Sequence, residues 1–314
     1  MKKRSLLLGA AAATAGAVAA AVVADRRWTV NDGDCGLDEC AVPAEGQSLT
    51  VRTDDGADLA VTVLGPADGP TVTLSHCWMG AREVWAPVAR RLADAGRRVV
   101  LYDQRGHGSS TVGSDGFTIK RLGDDLRAVI EAVDAQDAVI AGHSMGGMTV
   151  MSLATHHPEV ITDRGKAVVL VATGATGLTR GPRLDRVNQR VLASRAFERA
   201  MASGFGHALV RSAVGRTARR RDMVVTRDWV VRCAPEARVG WLAAINGMDV
   251  TPGLEKIDKP TTVLVGTWDT LTPVRYAKQI ADAVSGAKLE VLPGFGHMLP
   301  LEAPDEVAAA ILAP

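Results

Sequence analysis

The chain has 314 residues, of which 47% are hydrophobic and 23% charged, a composition that favours one large folded α/β domain and excludes global disorder. The formal net charge of +1 and the aromatic content of 4% give no basis for nucleic-acid binding, which needs a basic surface or a platform for stacked bases. No second Cys or His pair stands at ligand spacing beside Cys35 and Cys40, so the sequence predicts neither a metal site nor a cofactor.

Residues 1–30 are typical of an export signal or an N-terminal membrane anchor. The basic start MKKR precedes an apolar, alanine-rich stretch at 5–24, after which the charges of DRR follow. These are the parts of an export signal, and Ala24 is an acceptable cleavage position. The same stretch is just long enough to span a bilayer uncleaved, so cleavage and anchoring both stay open. We predict export, to a secreted or membrane-anchored form, in preference to a soluble tail on a cytoplasmic protein.

Residues 31–47 form a polar, Gly- and Asp-rich linker that contains Cys35 and Cys40. In an exported protein these two thiols either bridge each other or stay reduced, and the sequence leaves both states open. The folded core is predicted to occupy 48–174 and 251–314.

Within this core, short apolar segments alternate with amphipathic ones. The segments LTVRT and ADLAVTVLG predict an opening hairpin with DDG as its turn. Later strands are predicted at 71–76, 97–103, 137–144, 166–172, 261–269 and 288–294. Helices are predicted at 82–96, 119–133, 145–157, 273–284 and 304–313. This alternation predicts right-handed βαβ units, and therefore a mainly parallel sheet with helices on both faces.

Residues 175–250 interrupt the alternation and are predicted to form a helical, Arg-rich cap. They contain no convincing buried strand, and 14 Arg stand against 5 Asp or Glu between 180 and 238. One interpretation of this charge is a solvated helical surface. The other is a lid whose basic face meets an anionic lipid, a cell-envelope polymer or an acidic substrate, because clustered charge attracts its opposite.

Ser144 is the predicted nucleophile. It lies in Gly-His-Ser-Met-Gly, between a predicted strand and a predicted helix, and matches the G-x-S-x-G nucleophile elbow. Gly142 and Gly146 lack the Cβ atoms that would collide in so sharp a turn. His143 is next to the serine in sequence, so its side chain should point elsewhere, and we expect a structural role for it.

A serine hydroxyl needs a base and a group that orients the base. The chain order Ser, acid, His expects an acid after a late strand and a histidine near the C-terminus. Asp269 follows the strand at 261, and His297 follows the last strand in a glycine-rich loop. Asp249, at the end of the cap, is the competing candidate for the acid.

The predicted oxyanion hole consists of two backbone N–H groups. The helix that begins after Ser144 directs the N–H of Met145 at a developing negative charge. The second donor should come from the loop after the strand at 71–76, where SHCWMG places the N–H of Trp78. The Trp78 side chain is predicted to line the acyl pocket or to be a core aromatic beside it.

These residues, together with DQRGHGSS at 103–110, resemble the α/β-hydrolase superfamily, and within it the serine esterase, lipase and cofactor-free haloperoxidase-like group. The resemblance covers roughly 48–314 apart from the cap. It implies an eight-stranded sheet, a helical cap, and a catalytic triad of Ser144, Asp269 and His297. One departure is that Cys77 follows His76 where the family often has glycine, and its Cβ would reshape or narrow the oxyanion hole.

The sequence therefore predicts a serine hydrolase that cleaves a carboxylic ester (EC 3.1.1) through an acyl-enzyme on Ser144. Its predicted partner is a small-molecule or lipid ester, with membrane or envelope association left open. The alternatives are an acyltransferase or a cofactor-free perhydrolase or haloperoxidase on the same triad, and a non-catalytic ligand-binding protein. A serine elbow excludes haloalkane dehalogenases and epoxide hydrolases of this fold, which attack with an aspartate.

Overall fold

The computed structural model describes residues 40, 46–177 and 181–314. Its centre is an eight-stranded sheet whose strands, in chain order, are β1 (Gln47–Arg52), β2 (Asp58–Leu64), β3 (Thr71–Ser75), β4 (Arg98–Tyr102), β5 (Ala138–His143), β6 (Gly165–Val171), β7 (Thr261–Gly266) and β8 (Lys288–Leu292). The spatial order is β1-β2-β4-β3-β5-β6-β7-β8. The pairs β1–β2 and β2–β4 are antiparallel and every other neighbouring pair is parallel. The mainly parallel sheet predicted from the alternation is confirmed.

Helices cover both faces of this sheet. One face packs against α2 (Ile119–Ala132), α3 (Met145–His156) and α10 (Val274–Ala283). The other face packs against α1 (Ala86–Asp94) and α12 (Pro304–Leu312). The apolar residues of β3 to β7 are buried in both directions, which is why their sequences read as near-continuous apolar runs rather than as alternating patterns.

Two local features differ from the sequence prediction. The helix expected at 82–96 consists of a 3₁₀ turn, Arg82–Trp85, followed by α1. A further helix, α4 (Pro158–Arg164), begins where the proline was expected only to end α3. Proline is compatible with the first turn of a helix, because its missing N–H would have no partner there.

The segment between β6 and β7 is helical. It contains α5 (Pro182–Leu192), α6 (Arg195–Met201), α7 (Gly204–Arg211), α8 (Arg220–Arg232) and α9 (Pro235–Asn246). At its base, Val250 N–H donates to Ala175 at 2.9 Å and Gly177 N–H donates to Met248 at 2.8 Å. These two main-chain bonds form a neck that joins the cap, defined here as residues 181–247, to the sheet.

The loop after β4 is built around a buried arginine. Arg105 is fully buried and pairs with Asp55 at 2.9 Å and with Asp125 at 2.6 Å. A buried guanidinium is stable only when it is paired in this way, so Arg105 in the predicted DQRGHGSS turn links the loop after β4 to the β1–β2 turn and to α2.

The last helices lie at the end of the chain that carries the candidate base. The short helix α11 (Leu299–Glu302) lies between β8 and α12.

The export signal or anchor predicted at 1–30, and Cys35, lie outside the described residues, whereas Cys40 is buried. Within the described ranges, no helix has both the length and the apolar character to cross a bilayer.

Candidate active site

Ser144 lies in a strained turn between β5 and α3. Its backbone has φ 54° and ψ −115°, a conformation that non-glycine residues rarely adopt. A Cβ on Gly142 would lie 2.2 Å from the Gly146 carbonyl oxygen, and a Cβ on Gly146 would lie 2.0 Å from that of Ser75. Because those contacts are with backbone atoms, only glycine fits at both places. The turn expected from the pentapeptide is therefore present, and the Ser144 side chain lies at the carboxyl edge of the sheet.

The structure brings together the three side chains that the sequence singled out. Ser144 Oγ donates to His297 Nε2 at 3.0 Å, and His297 Nδ1–H donates to Asp269 Oδ2 at 2.9 Å. Asp269 follows β7 and His297 follows β8, so parallel strands deliver all three groups to one edge of the sheet. Asp269 and His297 are each 4% exposed, whereas Ser144 is partly accessible.

The Asp269 carboxylate is held in its ionised form. Its Oδ1 accepts N–H bonds from Leu271 at 2.9 Å and Thr272 at 2.8 Å, and its Oδ2 also accepts the Thr272 hydroxyl at 2.8 Å. Burial alone would raise the pKa of Asp269, but His297 and the Thr272 bonds outweigh it and lower the pKa to about 2. A fixed negative charge therefore faces Nδ1 and selects the tautomer whose Nε2 accepts the serine proton.

Asp249, the competing candidate for the acid of the triad, does not contact His297. It is exposed at the neck of the cap, where its Oδ1 accepts the N–H of Thr251 at 3.0 Å and the Thr251 hydroxyl at 2.6 Å. Its carboxylate thus binds Thr251, the first residue of the 3₁₀ turn Thr251–Lys256, instead of contacting His297.

His143 points away from the serine hydroxyl, into the core. It is fully buried, and its Nε2–H donates to the main-chain carbonyl of His297 at 2.8 Å. Burial lowers the pKa of His143 to about 3, so the ring is neutral at physiological pH. The structural role expected for His143 is therefore a contact with the candidate base.

The loop after β3 is held by two further neutral histidines. His76 Nε2 accepts the N–H of Gln104 at 2.9 Å, and His107 Nε2 accepts the N–H of Met79 at 3.1 Å. Burial lowers the pKa of His76 to about 4 and that of His107 to about 3, which keeps both nitrogens available as acceptors. Met79 itself has a positive φ of 57°. This second strained position fixes the path of the loop that carries Trp78.

Trp78 and Met145 have the environment required of oxyanion donors. Trp78 lines the same cavity as Ser144, and Met145 is the first residue of α3. The described part of the chain supplies no hydrogen-bond acceptor for either backbone N–H. The Trp78 indole N–H is likewise buried without a partner among the described residues.

Cys77 also lines the cavity, where the resemblance suggested glycine. Burial raises the pKa of its thiol to about 12, so it is protonated and unreactive in the folded protein. A Cβ on Gly80 would lie 2.8 Å from its sulfur, so the cysteine occupies the space inside the loop turn.

A cavity of about 540 Å³ opens from Ser144 into the space between the core and the cap. Its lining is mainly apolar and includes Met148, Met201, Trp229, Leu242 and Ile245. This volume lies within the range of ~300–1,000 Å³ found for small-molecule sites. Among the described residues, no cluster of three or more His, Cys, Asp or Glu is arranged to hold a metal ion.

Two residues that contact the site were not identified from the sequence. Thr272 holds Asp269, and Glu302 binds the loop of His297 through the N–H groups of Gly296 and Met298 at 2.9 Å each. Both follow a predicted site residue by three to five positions, and that proximity is the only signal the sequence offered.

The chain is similar in sequence to known proteins over most of its length. It is 29% identical over 273 residues to the bifunctional esterase/perhydrolase DCH of Acinetobacter calcoaceticus, which covers 84% of this chain and 98% of the relative. It is 28% identical over 275 residues to a non-heme chloroperoxidase of Burkholderia pyrrocinia, with the same coverage of 84% and 98%.

Solved structures share the fold. A hydrolase from Pseudomonas aeruginosa PA01 is 28% identical with a TM-score of 0.72, covering 86% of this chain and 98% of the other. A bromoperoxidase from Bacillus anthracis is 22% identical with a TM-score of 0.75, covering 85% and 99%. The family model of the alpha/beta hydrolase fold matches residues 70–304, about three quarters of the chain, and the protein belongs to this family.

Proposed function

We propose that the protein is a serine hydrolase that cleaves a carboxylic ester through an acyl-enzyme on Ser144. The observation that carries the proposal is the unbroken chain of hydrogen bonds from Ser144 Oγ through His297 to Asp269, at 3.0 and 2.9 Å. Nucleophile, base and orienting acid within hydrogen-bond distance are the arrangement that activates a serine hydroxyl. Similarity to an esterase/perhydrolase supports the same reaction class.

In the proposed mechanism His297 takes the proton of Ser144 as the oxygen attacks the ester carbonyl. Asp269, ionised and fixed by Thr272, stabilises the imidazolium that forms. The N–H groups of Met145 and Trp78 bind the oxyanion of the tetrahedral intermediate, and one such donor is worth about 3–4 kcal/mol of barrier. His297 then donates its proton to the leaving alcohol, and water releases the acid by the reverse sequence.

The proposed substrate is a small-molecule ester with an uncharged, apolar acyl or aryl group. The cavity beside Ser144 is mainly apolar, so burying an uncharged group there costs less than burying a charged one. The polar side chains of the lining include Asn188 and Asn246 from the cap and Arg275 from α10. These groups are suited to orienting a carbonyl or ether oxygen rather than to binding a whole polar substrate.

A fluorophosphonate probe tests the proposed nucleophile. We expect the wild-type protein to be labelled once, at Ser144, and to hydrolyse p-nitrophenyl esters, while Ser144→Ala is folded and inactive in both assays. A folded wild-type protein that neither reacts with the probe nor turns over any ester from acetate to dodecanoate would be a ligand-binding protein, and the proposal would fail.

Perhydrolysis is the second candidate, because relatives of the chain carry the names esterase/perhydrolase and non-heme chloroperoxidase. Hydrogen peroxide would replace water at the acyl-enzyme, giving a peracid and free Ser144. Bromide oxidation during ester turnover in the presence of peroxide measures the peracid. Competing alcohols, which yield a new ester, test acyl transfer in the same mixture.

We further propose that residues 1–30 direct export, with the catalytic domain outside the cytoplasm. The basis is the sequence alone, in which MKKR precedes the apolar stretch at 5–24. The intact mass of protein recovered from its native host decides between cleavage after Ala24 and a retained anchor. Recovery of the full-length chain from the cytoplasm would contradict export.

A further inference from the structure

A segment of the cap lies against the loop that carries His297. His297 N–H donates to the Ala213 carbonyl at 2.8 Å, and Arg216 N–H donates to the Gly294 carbonyl at 2.8 Å. The main chains of 213–216 and 294–297 are thus joined at both ends by hydrogen bonds. The backbone position of His297 is therefore determined partly by the cap.

Close approach of these two segments requires glycine on both sides. A Cβ on Gly215 would lie 2.3 Å from the Gly294 oxygen and 2.5 Å from the Gly296 nitrogen. A Cβ on Gly296 would lie 2.3 Å from the Gly215 nitrogen and 2.6 Å from Val214 Cα. All of these are backbone atoms, which have no freedom to rotate away.

The carboxylate of Glu302 binds both segments, and the contact between 213–216 and 294–297 is called the junction here. Glu302 Oε2 accepts the N–H of Gly215 at 2.6 Å and the N–H of Gly296 at 2.9 Å, while Oε1 accepts the N–H of Met298 at 2.9 Å. The N–H groups on either side of His297 and one N–H of the cap are thus held by one side chain. No cation among the described residues forms an ion pair with Glu302. Burial raises the pKa of its carboxyl group, and the three N–H bonds act in the opposite direction.

The neighbouring acid loop has a weaker tie of the same kind. The Thr270 hydroxyl donates to the Ser212 carbonyl at 3.0 Å, one residue before the paired segment. The loops of Asp269 and His297 are therefore both attached to the stretch of cap between α7 and α8.

We infer that Glu302 is a positioning residue that joins the cap segment 213–216 to the histidine loop and so holds His297 within reach of Ser144. The inference rests on the proposed function, because it concerns the geometry of the proposed triad. It means that the cap, besides enclosing substrate, is a support of the base. Displacement of a reacting group by about 1 Å can lower a rate by about 100-fold, so a loose junction should be visible in kcat.

The first test compares Glu302→Ala, Glu302→Gln and wild type, with kcat expressed per Ser144 titrated by the fluorophosphonate. Glutamine keeps one acceptor oxygen, so we expect kcat to fall by about tenfold in Glu302→Gln and about 100-fold in Glu302→Ala, with KM within twofold. Glu306→Gln, the same change at an exposed carboxylate on α12, should leave kcat unchanged. A purely structural role would lower the fraction of titratable protein but leave kcat per titrated site unchanged, and that result would overturn the inference.

Gly215→Ala tests the cap side of the junction without touching the carboxylate, and also serves if Glu302→Ala fails to fold. The added Cβ should force the segments apart and lower both kcat and the rate constant of fluorophosphonate labelling by about tenfold. Gly247→Ala is the matched control, because its Cβ would have no contact closer than 3.6 Å. Unchanged rates in both Gly215→Ala and Glu302→Gln would refute the positioning role with the proposed function intact. Absence of labelling in wild type would refute both.

Discussion

His143 and His297, which flank the nucleophile in space, are joined by a hydrogen bond of 2.8 Å from the Nε2–H of the first to the main-chain carbonyl of the second. The centroids of the two imidazole rings lie 5.1 Å apart, and Trp85 makes a T-shaped contact with the His143 ring. The residue that precedes the nucleophile in sequence therefore binds the main chain of the base, in addition to the bond from the cap.

Replacement of His143 by leucine tests this support. His143→Leu leaves a buried carbonyl without a donor, so we expect a loss of about 1–3 kcal/mol in the free energy of unfolding. We also expect a decrease of about tenfold in kcat per titrated serine, because the His297 backbone loses one of its two ties. His156→Leu, at an exposed position of α3, is the control. Wild-type kcat in His143→Leu would show that the contact does not position the base.

The identity of the acid is tested by Asp269→Asn. An asparagine amide presents N–H toward Nδ1 of His297 and favours the wrong tautomer, so kcat should fall by on the order of 10⁴-fold while the fold persists. The parallel change Asp249→Asn should leave turnover within twofold of wild type. Loss of activity in Asp249→Asn, with Asp269→Asn active, would exchange the roles of the two acids. Steady-state kinetics with a p-nitrophenyl ester measures both.

The strained elbow is tested by Gly146→Ala. The new Cβ would lie 2.0 Å from the Ser75 carbonyl oxygen, so either β3 or the start of α3 must shift. Overpacking of a buried site costs about 1–3 kcal/mol, and more where backbone is the obstacle, so we expect a lower urea midpoint and slow probe labelling. Gly247→Ala provides the control here too. A Gly146→Ala protein as stable and as reactive as wild type would contradict the described packing.

The buried histidines predict how stability depends on pH. Burial lowers the pKa of His76 to about 4 and those of His107 and His143 to about 3. In the unfolded chain the same rings bind protons near pH 6.5, so below that pH the unfolded state binds more protons than the folded state. Stability should therefore be complete above about pH 6.5 and fall between 6.5 and 4, by about 1.4 kcal/mol per pH unit for each histidine.

Urea unfolding at several pH values measures this dependence. His143→Leu should reduce the slope by about one proton, because one of the three groups is removed. A free energy of unfolding that stays constant from pH 7 to pH 5 would show that folding does not lower the pKa values of these rings.

The fold could be predicted because its elements are local. Each strand from β3 to β7 is buried on both faces and so appears in the sequence as a short apolar run, and helices such as α1, α2 and α10 show a 3.6-residue period. The positions of Ser144, Asp269 and His297 followed directly, since the carboxyl ends of parallel strands meet at one edge. Ser144 was identified by its elbow motif, and Asp269 and His297 by the chain order of nucleophile, acid and base after predicted strands.

The supporting contacts could not be predicted, because they join backbone groups that are distant in the chain. Glu302 meets Gly215 across 87 residues, and His143 meets the His297 carbonyl across 154. A carboxylate on a short helix and a glycine between two cap helices have no periodicity that pairs them. Arg105 similarly looked like part of a turn, whereas its partners Asp55 and Asp125 place it in the core.

The neck of the cap separates the residues that enclose the substrate, which lie in the cap, from the proposed triad, which lies on the sheet. Among the described residues, main-chain bonds between 175–177 and 248–250 close this neck, so a different set of helices could be grafted at that point of the chain. Such a chimera would have to reproduce the backbone of 213–216, since that stretch is the part of the insertion on which the proposed base depends. A graft that kept those four residues would exchange specificity, and one that replaced them would lose turnover.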